Sequence, residues 1–185
     1  MEEEKKVETE VVEKKKKKKI DTKTLIKEMT FDALLAAFYV VFTVVISPIS
    51  YGAIQFRFSE ILVLFCFFNK RYSIGLTLGC LIANIFSPTA ALDIPFGTAA
   101  TLLACIGIMF SKWMALAIMF PVITNAFIVG GELYLYGSPF WFNVGWIALG
   151  ELVVMIVGYI LFFILKRYKS FFKAINATQN TEYKF

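Results

Sequence analysis

Between Tyr51 and Glu60 the chain reads YGAIQFRFSE, which sets an amide, a guanidinium and a carboxylate (Gln55, Arg57 and Glu60) within six residues of one another. Such a trio can donate to and accept from a polar ligand. Arg57 and Glu60 also stand three apart, so on a helix they can pair with each other and fix its end. An ionised group facing lipid at mid-bilayer costs about 2.5–3.5 kcal/mol, so in an apolar chain the trio must be sheltered by protein. Asn84, Asp93, Asn125, Glu132, Asn143 and Glu151 are further polar groups set in or beside long apolar runs. Within this set the acids Glu60, Asp93, Glu132 and Glu151 face Arg57 as the one base, so at least three carboxylates lack an internal basic partner. That surplus suits a cationic or donor-rich ligand.

The elements that position these groups follow from composition. Of 185 residues, 58% are hydrophobic and 20 are Phe, and the mean hydropathy is +0.69. A soluble domain of this size must wet its surface and has no use for so much apolar area. The fold class is all-α integral membrane. Six apolar stretches are expected to cross, at 31–49, 54–68, 72–86, 94–110, 113–130 and 140–165. At 1.5 Å per residue the second and third are short for a hydrocarbon core of about 30 Å. Short spans imply local thinning or helix ends shielded by other protein.

Orientation comes from the positive-inside rule. The Lys-rich stretch before the first span, including Lys14 to Lys19, puts the N-terminus in the cytoplasm. An alternating path then requires basic residues in the second loop, the fourth loop and after the sixth span. Lys70 and Arg71, Lys112, and Lys166, Arg167 and Lys169 supply them. The expected outer loops, 47–53, 87–93 and 131–139, contain no Lys or Arg. Six transmembrane helices with both termini cytoplasmic satisfy every loop. Residues 1–28 read as a disordered charged tail rather than a signal peptide. Residues 29–168 form the six-helix transmembrane domain, and 169–185 a cytoplasmic C-terminal tail.

On this path the polar groups sort by depth. Gln55, Arg57 and Glu60 open the second span at its outer end, Asn84 lies near the outer end of the third, and Asp93 just precedes the fourth. Asn125 and Glu132 fall in the outer part of the fifth span and at its edge, near water. Asn143 and Glu151 lie in the outer half of the sixth. A channel or proton relay strings polar groups across the full thickness, whereas this one-sided cluster predicts a pocket open outside and closed below. Other roles stay open: Asp93 suits a helix N-cap, and Asn84 and Asn125 suit hydrogen bonds between helices. Tyr51, Tyr134, Tyr136, Phe140, Trp141 and Trp146 crowd the same side, either as an interfacial belt or as a surface for a planar ring. Gly75, Gly79 and Ala83 make a small-xxx-small ridge, as Ala33 and Ala37 do in the first span; each marks a close contact, inside the chain or with a partner.

Much is absent. The sequence has no His, and its three Cys (Cys66, Cys80, Cys105) lack metal-ligand spacing and read as small buried hydrophobes. There is no P-loop, no catalytic Ser elbow and no metalloprotease motif. No enzyme activity, metal or cofactor is expected on this chain, nor any nucleic-acid partner. A small membrane protein with an outward pocket and no energy source of its own should borrow its energy.

The segments YGAIQFRFSEIL, GLTLGCLIANIFSP, LDIPFGTAATLLA, NAFIVGGEL and LGELVV together resemble the queuosine-precursor transporter family. These proteins are substrate-binding S-components of energy-coupling-factor (ECF) transporters, and the resemblance runs from about Phe31 to Lys166. It implies a multi-pass protein of the cell membrane that captures its substrate from outside. It also implies partners: a transmembrane coupling protein and two ATPase subunits that use ATP. S-components of this class contact the coupling protein through an Ala-rich motif in the first helix, which Ala33 and Ala37 match. The implied ligand is a 7-deazaguanine, in the aminomethyl form or as queuine. One carboxylate would accept the N–H and NH₂ of its guanine-like edge; Glu151 and Glu132 are the choices, with Glu60 oriented by Arg57. A donor such as Gln55, Asn84 or Arg57 would meet the carbonyl, and a second carboxylate would hold the ammonium. The alternatives are an S-component for another vitamin or nucleobase and a membrane enzyme or helper with no transported ligand. A neutral ligand leaves three acids unexplained.

Overall fold

A computed structural model describes residues 22–46 and 56–182, so Gln55 and Tyr51 lie outside the described residues. Every regular element among them is a helix: α1 (Thr22–Val45), a 3₁₀ helix (Phe58–Phe67), α2 (Tyr72–Ile85), α3 (Ala90–Phe110), the short α4 (Met114–Ala117), α5 (Met119–Leu135), α6 (Phe140–Leu165) and α7 (Lys169–Ala174). α1, α3, the α4–α5 unit and α6 are long and apolar enough to cross a membrane, while the 3₁₀ helix and α2 are shorter apolar helices.

Proline and glycine set the helix ends. Pro88 and Pro139 follow the ends of α2 and α5, where a ring without an N–H cannot continue a helix. α5 closes in a Schellman turn: Ser138 N–H bonds Leu133 O at 3.2 Å and Gly137 N–H bonds Tyr134 O at 2.9 Å. Gly137 takes φ +88°, a conformation that favours glycine. Pro121 falls in the first turn of α5, where no intrahelical N–H bond is lost, whereas Pro95 sits inside α3.

The 3₁₀ helix is the middle of the bundle, packed against α1, α2, α3 and α6. Ten residues is long for this geometry, which seldom exceeds three or four. A 3₁₀ helix rises about 2.0 Å per residue against 1.5 Å for α, so the run reaches further across the bundle than an α-helix of equal length. Its three-residue repeat stacks Glu60, Val63 and Cys66 in one fully buried column. Next to α1, the Gly75–Gly79 ridge of α2 makes an internal contact. A Cβ at Gly79 would stand 2.9 Å from Ala36 O, and one at Gly75 would collide with Asp32. Gly75 N–H in turn donates to Asp32 Oδ1 at 3.0 Å.

Several expected boundaries move. α1 begins at Thr22, inside the stretch read as tail, because Glu28 is buried and ion-paired to Arg71 at 3.0 Å. Residues 169–182, within the expected C-terminal tail, pack against the bundle. Phe171 and Phe172 pack on Phe68 at ring distances of 6.0 and 5.6 Å. The strap after α7 then covers the open end of the 3₁₀ helix: Thr178 N–H and Gln179 N–H donate to Phe68 O, Gln179 Nε2 to Cys66 O and Asn180 Nδ2 to Phe67 O. Carbonyls left over at a helix end need such partners, and the tail supplies them. α3 starts at Ala90 rather than residue 94, and α5 continues to Leu135 rather than ending at residue 130. α6 spans Phe140–Leu165 as expected.

Candidate functional site

The polar groups converge on one end of the bundle. α1, α2 and α5 run towards it, so their C-terminal halves meet the start of the 3₁₀ helix and the N-terminal halves of α3 and α6. Glu60 is fully buried there. Its Oε1 accepts from the Tyr39 hydroxyl of α1 and from Thr101 Oγ1 of α3 at 3.1 Å. Beside it, Thr43 Oγ1 donates to Ser59 Oγ at 2.7 Å. From α5, Asn125 Nδ2 donates to Glu151 Oε1 of α6 at 2.7 Å. Glu60 and Glu151 interact electrostatically, and Arg57 acts on both.

Arg57 is 2% exposed, and its Nη2 donates to Asn84 Oδ1 at 3.2 Å. Asn84 is held on every side: its Nδ2 donates to Asp93 O at 2.8 Å and to Cys80 Sγ at 3.4 Å. Gly97 leaves room for that amide, since a Cβ there would stand 2.8 Å from Asn84 Nδ2. Asn84 has no donor left for a ligand carbonyl, so it positions Arg57 instead. Asp93 is not the cap of α3. Thr89 takes that position, and Asp93 sits in the first turn, accepting from the hydroxyls of Ser87 and Thr89. A carboxylate in a first turn is favoured by the helix dipole.

Glu132 departs most from the sequence expectation. Because α5 extends to Leu135, Glu132 lies within the helix and is fully buried rather than near water. It stands in electrostatic reach of Asp93 and Arg57. Asn143, 6% exposed, accepts from Ser138 Oγ at 3.0 Å through Oδ1.

The hydrogen bonds leave a definite remainder. Glu60 Oε2, Glu151 Oε2, Asn125 Oδ1 and both Glu132 oxygens are buried acceptors with no partner among the described residues, and Asn143 Nδ2 is a donor in the same condition. A buried polar atom left unpaired costs about 1–3 kcal/mol, so a group of them stands out against the few expected in a native structure. Glu60 and Glu151 each have one oxygen pinned by protein and the other open, which fixes the carboxylate while leaving it able to accept. The arrangement offers several acceptors, one amide donor and a guanidinium. Among the described residues, no three His, Cys, Asp or Glu side chains are grouped to hold a metal.

The profile of the QueT transporter family matches residues 29–167. The chain belongs to this family. The queuosine precursor transporter QueT of Lactococcus lactis subsp. cremoris (strain MG1363) is 33% identical over 154 residues, covering 71% of this chain and 90% of the relative. No solved structure matches the chain. Membership in a transporter family, together with four helices able to cross a bilayer, makes the chain a multi-pass membrane protein. The polar cluster lies wholly inside the matched region.

Sequence reasoning missed the residues that hold the acids. Tyr39 and Thr43 continue the spacing of Leu35 along one buried face of α1, and polar residues at helical spacing on an apolar helix were the available signal. Thr101, four residues after Gly97 on α3, carries the same signal. Cys80, read as a small hydrophobe, accepts from Asn84 Nδ2 and stands 3.2 Å from Thr101 Oγ1. Asp32, near the middle of α1, was not counted among the acids at all.

Proposed function

We propose that this chain is the substrate-capture subunit (S-component) of an ATP-driven ECF importer in the cell membrane, and that it binds a 7-deazaguanine queuosine precursor from outside. In this reading all six apolar segments cross and both termini are cytoplasmic. The chain itself carries no cofactor, and partner ATPases use the ATP. The observation that carries the reading is the set of buried carboxylate oxygens without partners, Glu60 Oε2, Glu132 Oε1 and Oε2, and Glu151 Oε2, in a family of transporters. A ligand with a guanine-like N–H/NH₂ edge and an ammonium is donor-rich where this site is acceptor-rich. Glu151, steadied by Asn125, takes the ring edge. Glu132, with both oxygens open, takes the ammonium as a charge-assisted hydrogen bond.

The coupling protein docks on a groove of about 450 Å³ between α1 and α2, where Ala33 and Ala37 are exposed beside Ala36, Val40 and Leu78. Small exposed side chains let a partner helix approach closely. Calorimetric titration of the purified chain with the aminomethyl deazaguanine, its nitrile analogue, queuine, guanine and riboflavin tests the ligand. The expected result is tightest binding of the cationic deazaguanines. Binding of riboflavin or guanine alone would overturn the assignment in favour of another vitamin or base.

A further inference from the structure

Away from the acid cluster, the opposite end of the bundle carries a second feature that substrate capture does not use. Below the turn joining α3 to α4 lies a groove of about 680 Å³, with Gly107, Phe110, Trp113, Leu116 and Phe120 as apolar walls and Lys112 at its edge. Gly107 is required there, because a Cβ would run into the Phe120 ring that forms one wall. Phe110 and Trp113 are 74% and 57% exposed. Lys70, from the loop before α2, holds its Nζ 5.0 Å from the centre of the Phe110 ring.

We infer that this groove binds an anionic phospholipid, with the acyl chain against Phe110, Leu116 and Phe120 and the headgroup between Lys70 and Lys112. Three observations carry the assignment. The groove sits where α3, a helix long and apolar enough to cross a membrane, ends and α4 begins, and Trp113 among its lining residues suits the interface expected at such a helix end. Its walls are apolar and open to the surroundings, as an acyl chain requires. Lys112 lines the groove and Lys70 reaches over its Phe110 wall; among the described residues neither is paired with a carboxylate, and no acid lines the groove. A basic rim on an apolar intramembrane groove is the charge pattern that selects anionic headgroups. The lysine stems lie along the apolar surface while the ammonium groups reach the headgroup layer. None of these residues belongs to the acid cluster, so the inference stands apart from the identity of the transported ligand.

The test uses the full chain with Trp141→Phe and Trp146→Phe, which leaves Trp113 as its one tryptophan. The protein is placed in phosphatidylcholine bilayers containing increasing fractions of dibrominated phosphatidylglycerol or dibrominated phosphatidylcholine, and quenching of Trp113 is followed. Phosphatidylglycerol should half-quench at a lower mole fraction, by about fivefold for each lysine, as expected from about 1 kcal/mol per charge. Lys112→Gln and Lys70→Gln should each remove about that factor, and together abolish the preference. Equal quenching by the two lipids in the parent chain would overturn the inference. A preference that survives the double substitution would also overturn it, as would a Trp113 that neither lipid reaches because protein covers the groove.

Discussion

At the basic end of the bundle Glu28 is buried with both oxygens engaged. Oε2 pairs with Arg71 at 3.0 Å, and Oε1 accepts from Asn176 Nδ2 at 2.5 Å and Asn69 Nδ2 at 3.4 Å. At the other end Glu60 and Glu151 each have one oxygen engaged, and Glu132 has neither. The two ends hold similar residues and differ in satisfaction. Glu28 is complete because it fastens three parts of the chain, α1, the loop before α2 and the strap after α7. Where carboxylates are held by half, the protein fixes their position and withholds the second partner. If the incompletely held acids bind substrate, as proposed, then structural and binding acids are told apart by counting hydrogen bonds, not by burial, since all four are nearly inaccessible.

This contrast predicts opposite outcomes for the same chemical change. Glu151→Gln should lower affinity for the aminomethyl deazaguanine by about 10- to 100-fold, the loss of a hydrogen bond to a charged group at about 1.5–3 kcal/mol. Its melting temperature should not fall, because Asn125 can still donate to the amide oxygen. Gly75→Ala tests the seam between the two ends. Its Cβ meets Asp32, so overpacking should destabilise the chain by about 1–3 kcal/mol, read as lowered thermal stability with affinity preserved. Glu28→Gln should lower stability by about 1–2 kcal/mol while changing affinity by less than about twofold, checked by paired melting and titration. Arg71, 41% exposed, keeps access to water and limits that loss. Smallest is Gly137→Ala, which forces a side chain into positive φ at the end of α5 and should cost about 1 kcal/mol.

The apolar segments were legible because charged or turn-forming residues interrupt the chain between them, and α6 keeps its expected limits. The grouping of Arg57, Glu60, Asn125 and Glu151 was readable from the alternating path, which brings their ends together. Glu132 was misplaced because an acid followed by Tyr134, Tyr136 and Gly137 looks like loop composition, while tertiary packing carries the helix on to Leu135. The 3₁₀ geometry of Phe58–Phe67 left no signal: its polar residues Ser59 and Glu60 are adjacent, and the apolar run after them has no polar phase from which three residues per turn could be told from 3.6. The strap after α7 was missed for a different reason. Its role is to supply donors to carbonyls more than a hundred residues earlier, and no local pattern announces such a partner.

The proposed division of roles is that the open carboxylates serve a cationic ligand and the closed one serves the fold. The most direct measurement compares binding of the aminomethyl deazaguanine and its nitrile analogue in the parent chain, Glu132→Gln and Glu28→Gln. The preference for the cationic form should collapse in Glu132→Gln and persist in Glu28→Gln. An unchanged preference in Glu132→Gln, or an equal loss in both, would contradict it.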